Sequence, residues 1–498
     1  MSDNNFMPDS TGKIDYDKSP VSKSIQNNLD ILKQIFKNDE TVIYREFANQ
    51  TNPELKFLAI SANGMVNGET IYNSVIRPLT IFDFTGCEDI ISTSENQIIT
   101  NIDVKRKNSF SDVAEAVLYG DTALFSDGSD EVLLIDTKGW QIRSISEPDS
   151  EKNLRGPREG FTESLLVNTS LLRRRIQTSD LKFEFLTFGT RTNTRACICY
   201  LDSLADKKVL DEFRHRLKKI VIDGILDANY IEEFIKDSRL SPLKTTGTSE
   251  KPDIVASKLL EGRVALILDG TPIVITVPYL FIENFQAPDD YYLNFFFSSL
   301  NRVLRITALF ITVAVPGVYI SLVAFHHEMI PALLLTSIAA ATRGIPFPTV
   351  VECLLMLAIF EILRETGLRM SNKVGQALSI VGGLVVGQAA VEARIVSAPM
   401  VIVIAITGIT GMVLPKLTGA VLFARTGAIL LSAMFGFLGF FVAMLFAFIH
   451  VISLKSFSYD HTAFSVNPKK LKDIYIRAPM WKMDSRTEFS ADKKRTNI

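Results

Sequence analysis

Five ionisable residues sit inside one apolar stretch, Thr349 to Arg369: Glu352, Glu361, Arg364, Glu365 and Arg369, among Val, Leu, Ile and Phe. A charge in hydrocarbon is expensive, so such side chains face a bundle interior, a partner or a water path. At about 100° per residue, Glu361, Arg364, Glu365 and Arg369 fall on one side of a helix, and Glu352 lies opposite with Ile359 and Leu363. Glu365 precedes Arg369 by four residues, the favourable order for an ion pair. Two chemistries fit. The charges form an internal cluster that only fastens helices, or they form a charged mouth beside an apolar constriction, the ingredients of a gated pore. The pore and gating candidates are therefore Glu352, Ile359, Glu361, Leu363, Arg364, Glu365 and Arg369.

Other chemistries find no support. The sequence has no phosphate-binding glycine loop, no His–Cys cluster of metal-ligand spacing and no Ser–His–Asp context, so no catalytic residue, cofactor or metal is assigned and no enzyme is expected. His326 and His327 are adjacent and do not share a helix face. Cys197 and Cys199 share a face of a strand and read as buried small hydrophobes. Nothing points to nucleic acid.

The elements that hold the charged helix divide the chain by composition. Residues 1–301 carry 34 basic against 45 acidic side chains, residues 302–453 carry 9 against 5, and residues 454–498 carry 10 against 5. This is a soluble part joined to a membrane part with a basic tail. The N-terminus lacks an apolar signal core, which places the first part in the cytoplasm. Seven segments are expected: a disordered tail, 1–21; an α/β lobe, 22–150; a linker helix, 151–179; a second α/β lobe, 180–287; an interfacial helix on the lipid surface, 288–301; a multi-pass α-helical membrane domain, 302–453; and a basic cytoplasmic tail, 454–498. Two tandem similar lobes are inferred from an internal echo. Gly120-Asp-Thr-Ala-Leu-Phe-Ser-Asp-Gly128 and Gly262-Arg-Val-Ala-Leu-Ile-Leu-Asp-Gly270 are each preceded by a helix and followed by a strand. The unit is a glycine-ended helix, a strand, an Asp-Gly turn and a returning strand.

A membrane core of about 30 Å takes about 20 helical residues. Val303–Phe325, Thr349–Arg369, Val374–Glu392 and Val396–Leu414 fit, Met329–Ala341 is short, and Gly419–Ser453 is too long for one perpendicular crossing and is expected to tilt or to emerge as a stalk. Gly375, Ser379, Gly383 and Gly387 recur every four residues and mark a helix-packing stripe. A cytoplasmic first part and a basic tail require an even number of crossings. Six crossings would put Arg364, Arg369 and Lys373 outside, against the positive-inside rule.

Ordered motifs along the chain carry a resemblance. They include Arg158-Glu-Gly-Phe-Thr-Glu163, Phe285-Gln-Ala-Pro-Asp-Asp-Tyr-Tyr292, Val315-Pro-Gly-Val-Tyr319, Gly344-Ile-Pro-Phe-Pro348, Phe360-Glu-Ile-Leu-Arg-Glu-Thr-Gly-Leu-Arg369, Val386-Gly-Gln-Ala-Ala-Val-Glu392 and Arg477-Ala-Pro-Met-Trp481. With them the sequence resembles the A subunit of the spore germinant receptors, the GerA family. The resemblance implies a multi-pass protein of the inner spore membrane, assembled with a transporter-like B subunit and a lipoprotein C subunit. It also implies a homo-oligomer around an ion pore that opens when nutrient is sensed and releases monovalent cations. A non-conducting scaffold, or a paralogue encoded with dipicolinate-release proteins, is the alternative. The chain departs from the family at Met356-Leu-Ala-Ile359, where Glu is frequent, at Arg394, where glycine is frequent, and at Ser458-Tyr-Asp-His461.

Overall fold

A computed structural model describes residues 20–87, 89–140, 151, 155–369, 382–383, 385–462, 473, 476–483, 486 and 490–492. Two five-stranded antiparallel sheets organise the first part. The first contains β1 (Val42–Ala48), β2 (Lys56–Ala62), β3 (Val104–Lys107), β4 (Asp121–Ser126) and β5 (Val132–Asp136), in the order β1-β2-β4-β5-β3. The second contains β6 (Leu181–Phe188), β7 (Thr194–Leu201), β8 (Gly247–Ser249), β9 (Val264–Leu268) and β10 (Val274–Val277), in the order β6-β7-β9-β10-β8. The strand order is the same in both. The two echo segments supply the central strands β4 and β9 and the Asp-Gly turns that lead into β5 and β10.

Alternation along the strands explains the layering, because successive side chains point to opposite faces. On β2, Leu58, Ile60 and Ala62 face α1 (Ile25–Ile35) and α2 (Phe110–Tyr119), whereas Phe57 and Ala59 enter a separate core with Val75, Leu79 and Ile91. On β7, Cys197, Cys199 and Leu201 face α3 (Leu165–Arg175), and Ala196, Ile198 and Tyr200 face α4 (Lys207–Lys218) and α5 (Ala228–Ile235). A further helix, α6 (Pro252–Leu260), packs beside α3. Both faces of both sheets are covered, which is why β4 and β9 read as continuous apolar runs. Gly120 and Gly262 end their helices with φ of 102° and 86°, a conformation open to glycine without strain.

Several boundaries differ from the sequence expectation. The helix expected as a linker is α3, and it belongs to the second unit: Leu165, Leu171 and Leu172 bury against the second sheet as α1 buries against the first. Of the tail expected to be disordered, residues 1–19 lie outside the described residues, but Val21 is buried in the first core. The expected interfacial helix 288–301 is split: a short turn of helix spans Asp289–Tyr292, and residues from Phe295 onward run without a break into the long helix α7 (Phe295–Ala324). Asn294 caps α7 by accepting from the amide of Phe296.

The two units meet at a buried ion pair. Arg173 on α3 donates to Asp39 Oδ2 at 2.6 Å and to Thr41 Oγ1 at 2.8 Å, and its guanidinium lies 4.7 Å from the Phe183 ring. The Glu40 amide donates to the Phe183 carbonyl, and Glu40 Oε2 accepts from the Phe185 amide.

The helical part includes α7, α8 (Ala332–Thr342), α9 (Thr349–Arg369), α10 (Ala398–Met412), α11 (Thr418–Phe435) and α12 (Phe437–Ser453), and residues 385–392 are also helical. Among the described residues, two helices, Phe295–Ala324 and Pro415–Phe435, are long and apolar enough to cross a membrane, by length and composition. The stretch Gly419–Ser453 is not one tilted span or a stalk. It is a hairpin, broken at Gly436, whose φ of 60° and ψ of −138° are closed to other residues. A Cβ there would lie 2.9 Å from His326 Cε1, so the turn nests against the end of α7. Large apolar side chains on this part, among them Phe310, Phe423, Met434, Phe441 and Phe446, are exposed.

Candidate functional site

The inward arc of α9 is set by Cys353, Met356 and Leu357, which are buried against Ile320 of α7, Met400 and Ile404 of α10 and Ile429 of α11. The opposite arc, Val351, Leu355, Ala358, Ile362, Glu365 and Thr366, is exposed. Glu352 and Glu361 sit on the two flanks of the buried arc, and each finds a partner there. Glu352 is 2% exposed, and its Oε2 accepts from the Ser397 amide at 2.8 Å. Ser397 is the N-cap of α10, so this carboxylate satisfies an amide that a helix start leaves open and lies at the positive end of the helix dipole.

Glu361 faces α11. Its Oε1 accepts from Arg425 at 2.7 Å, and its other oxygen pairs with Arg364. The Arg425 side chain is 4% exposed. A small cleft beside the cluster is lined by Phe360, Thr407, Gly408 and Val421. Gly408 is needed there, since a Cβ would come within 2.5 Å of the Phe360 ring.

The four charges expected on one side of the helix are thus divided. Glu361 and Arg364 turn toward Arg425, whereas Glu365 is exposed on the outer face. The helical wheel was sound, but packing places the boundary of the buried arc between them. Ile359 packs against the core of the bundle. Leu363 is half-buried, and a Cβ built at Gly382 would lie 3.1 Å from its Cδ2. Arg369 ends the helix, and its side chain lies outside the described residues, as do Gly375 and Ser379 of the small-residue stripe. Gly387 approaches Val401 of α10 at ordinary contact distance, and Gly383 faces open space.

Two groups of buried charged side chains escaped the sequence reading. Arg425 is one. Its signal was available: it is the lone charge in the run Thr418–Ser453, and an intramembrane arginine asks for a carboxylate. The other group is at the base of α7. Arg302, fully buried, donates to Asp290 Oδ2 at 3.1 Å and to Asp473 Oδ1 at 2.8 Å. Arg305 joins Asp290 at 2.8 Å. The Tyr291 hydroxyl donates to Asp473, and its ring lies under Arg302 and Arg477 at 5.5 and 5.9 Å. Asp473 and Arg477 come from the tail, which no local pattern could place here.

A further buried cluster lies in the second sheet unit, near where its Leu280, Ile282 and Phe285 pack with Ala308, Leu414 and Leu417 of the helical part. Glu283 is 5% exposed and lies between Arg263 and Lys258. Burial pushes its pKa up, but the adjacent guanidinium and ammonium pull it down further, to about 2. Burial depresses the Lys258 ammonium to about 8 despite Glu283. Among the described residues, no group of His, Cys, Asp and Glu is arranged to hold a metal ion.

The family described as Bacillus/Clostridium GerA spore germination protein matches residues 30–489. Spore germination protein KA of Bacillus subtilis is 39% identical over 94% of this chain and 87% of its own length. The Bacillus subtilis membrane protein YfkQ is 38% identical over 94% of this chain and 91% of its own. Spore germination protein GerLA of Bacillus cereus is 32% identical over 87% of this chain and 89% of its own. Among solved structures, the N-terminal domain of the A subunit of the Bacillus megaterium spore germinant receptor GerK3 is 28% identical, with a TM-score of 0.40 over 53% of this chain and 98% of that domain.

Proposed function

This chain belongs to the Bacillus/Clostridium GerA spore germination family, and from that premise we propose that it is the A subunit of a nutrient germinant receptor whose copies surround a gated pore for monovalent cations. The two sheet units are tandem lobes on the cytoplasmic side, and the helical part is a multi-pass domain of the inner spore membrane. The partners are a transporter-like B subunit, which takes the nutrient, and a lipoprotein C subunit. Opening releases cations and starts germination.

The observation that carries the pore is Glu365. It is exposed, with Thr366, on the face of α9 turned away from the bundle. At 1.5 Å per residue it lies about 24 Å along the helix from Thr349. A ring of copies around a wet axis brings this polar face of each copy together. In spores carrying Glu365→Gln with the B and C subunits present, cation release on nutrient addition should fall while the protein stays in the membrane. Release at the normal rate would count against this helix as the pore lining.

A second reading has its own support. Glu352 and Glu361 are satisfied inside one chain, by Ser397 and Arg425. That is what a scaffold needs and what a pore does not. The scaffold reading thus rests on Glu352 and Glu361, and the pore reading on the exposed face that carries Glu365 and Thr366.

A further inference from the structure

The two lobes finish differently. In lobe 1 the chain continues past β5, and Lys138 forms an antiparallel bridge with Val66. The Gly139 amide donates to the Met65 carbonyl at 3.1 Å, and the Asn67 amide donates to the Thr137 carbonyl at 2.8 Å. This short segment lies over Gly120, where a Cβ would come within 3.3 Å of Lys138 Cγ. Lobe 2 has the same acceptor: Leu204 and Ala205 follow β7 as Met65 and Val66 follow β2, and Gly262 stands where Gly120 stands.

Lobe 2 has no segment of its own to place there. After β10 the chain turns away at Pro278. The Tyr279 amide donates to Ser456 Oγ and the Phe281 amide to the His461 carbonyl, both on the hairpin that follows α12. The vacant place is taken from the other end of the sequence. Ser490 forms the antiparallel bridge with Ala205, and the Ala491 amide donates to the Leu204 carbonyl at 2.8 Å. Ser490 is 3% exposed, and a Cβ at Gly262 would lie 2.8 Å from its Cα. Ser490 thus takes the place of Lys138, and the bond from the Ala491 amide repeats that from Gly139.

We propose that the edge of lobe 2 at Leu204–Ala205 is a strand-acceptor site whose occupant is the chain's own C-terminal segment around Ser490, and that this segment straps lobe 2 to the base of the first membrane helix. The other anchor of the strap is fixed by Asp473 and Arg477 at Arg302 and Tyr291, by the Arg477 carbonyl, which accepts from Ser299 Oγ, and by Trp481, whose ring meets Phe295 at 6.1 Å. Arg486 pairs with Asp492 at 3.0 Å. The acceptor selects an extended segment, because main-chain bonds hold it. Glycine at 262 permits the close approach, because a side chain there would meet the Leu204 carbonyl and the Ser490 backbone.

The test uses the full chain in detergent and the rate of trypsin cleavage after Arg486. Ala491→Pro removes the amide that donates to Leu204, at an exposed position where the lobe's core is untouched. Ser490→Ala keeps both size and main-chain bonds. Cleavage after Arg486 should rise at least tenfold in Ala491→Pro and stay at the wild-type rate in Ser490→Ala, with cleavage elsewhere in lobe 2 unchanged. Wild-type cleavage in Ala491→Pro would overturn the strap. So would equal acceleration at all sites, because the segment would then be a general stabiliser rather than a tie at one edge.

Discussion

Exchanging Arg425 for methionine keeps much of its volume and removes its charge. It strips Glu361 of its contact across to α11 and leaves only Arg364 on the same helix. At 2.7 Å, Coulomb's law with an effective dielectric constant of about 20 gives roughly 6 kcal/mol of gross attraction. Desolvation of two ions offsets most of that. The net coupling between such residues, read from a double-mutant cycle, is about 1–3 kcal/mol. The cycle needs Glu361→Gln, Arg425→Met and the double variant, each unfolded in mixed micelles and followed by loss of helical circular dichroism. Glu361→Gln should be the more damaging single change, because it leaves the buried Arg425 without its carboxylate, whereas Arg425→Met leaves Glu361 paired with Arg364. The double variant should be less damaged than the sum of the singles by about 1–3 kcal/mol. Additivity within about 0.5 kcal/mol would refute the pair as a fastener of α9 to α11.

Other outcomes follow from the same geometry. Arg173→Met leaves Asp39 buried with only its bonds from Thr41, so unfolding of the full chain, followed by the fluorescence of Trp140 beside Arg174, should lose about 3 kcal/mol. Glu283 has a folded pKa of about 2, below its ordinary value. Its contribution to stability is therefore full above that ordinary value and lost as pH falls toward 2. Glu283→Gln should flatten the acid side of the stability–pH curve, and an unchanged slope there would count against the cluster. Gly436→Ala forces a side chain into a glycine-only conformation, at about 1–3 kcal/mol, and into His326. The unfolding midpoint in micelles should fall accordingly.

Much of the soluble part could be read from periodicity and turn chemistry. Apolar runs marked β4 and β9, the Asp-Gly pairs marked their turns, and Gly120 and Gly262 marked helix ends. The short edge strands β3 and β8 gave no such signal, because Lys105, Arg106 and Lys107 are polar and Gly247 favours no strand. The place of α3 depends on which sheet it covers, the second, and that is a long-range fact. The break at Gly436 was missed for a different reason. Glycine is common in membrane helices, so one more carried no weight until its backbone angles were known. Around the candidate site, the sequence marked which residues are charged and how they are spaced, but not which arc of α9 turns inward. That depends on Cys353, Met356 and Leu357 meeting three other helices. The tail read as basic and free because its partners, Arg302, Tyr291 and Leu204, lie more than a hundred residues away.

The central claim is that copies of this chain enclose a water-filled path lined by the outer face of α9. The most direct measurement is cation current through the purified, oligomer-containing protein in planar bilayers, for the wild type and for Glu365→Gln. The account expects a current carried by monovalent cations that falls several-fold in Glu365→Gln and persists in Glu352→Gln. No current from correctly assembled wild-type oligomers, or a current indifferent to Glu365, would contradict it and favour the scaffold.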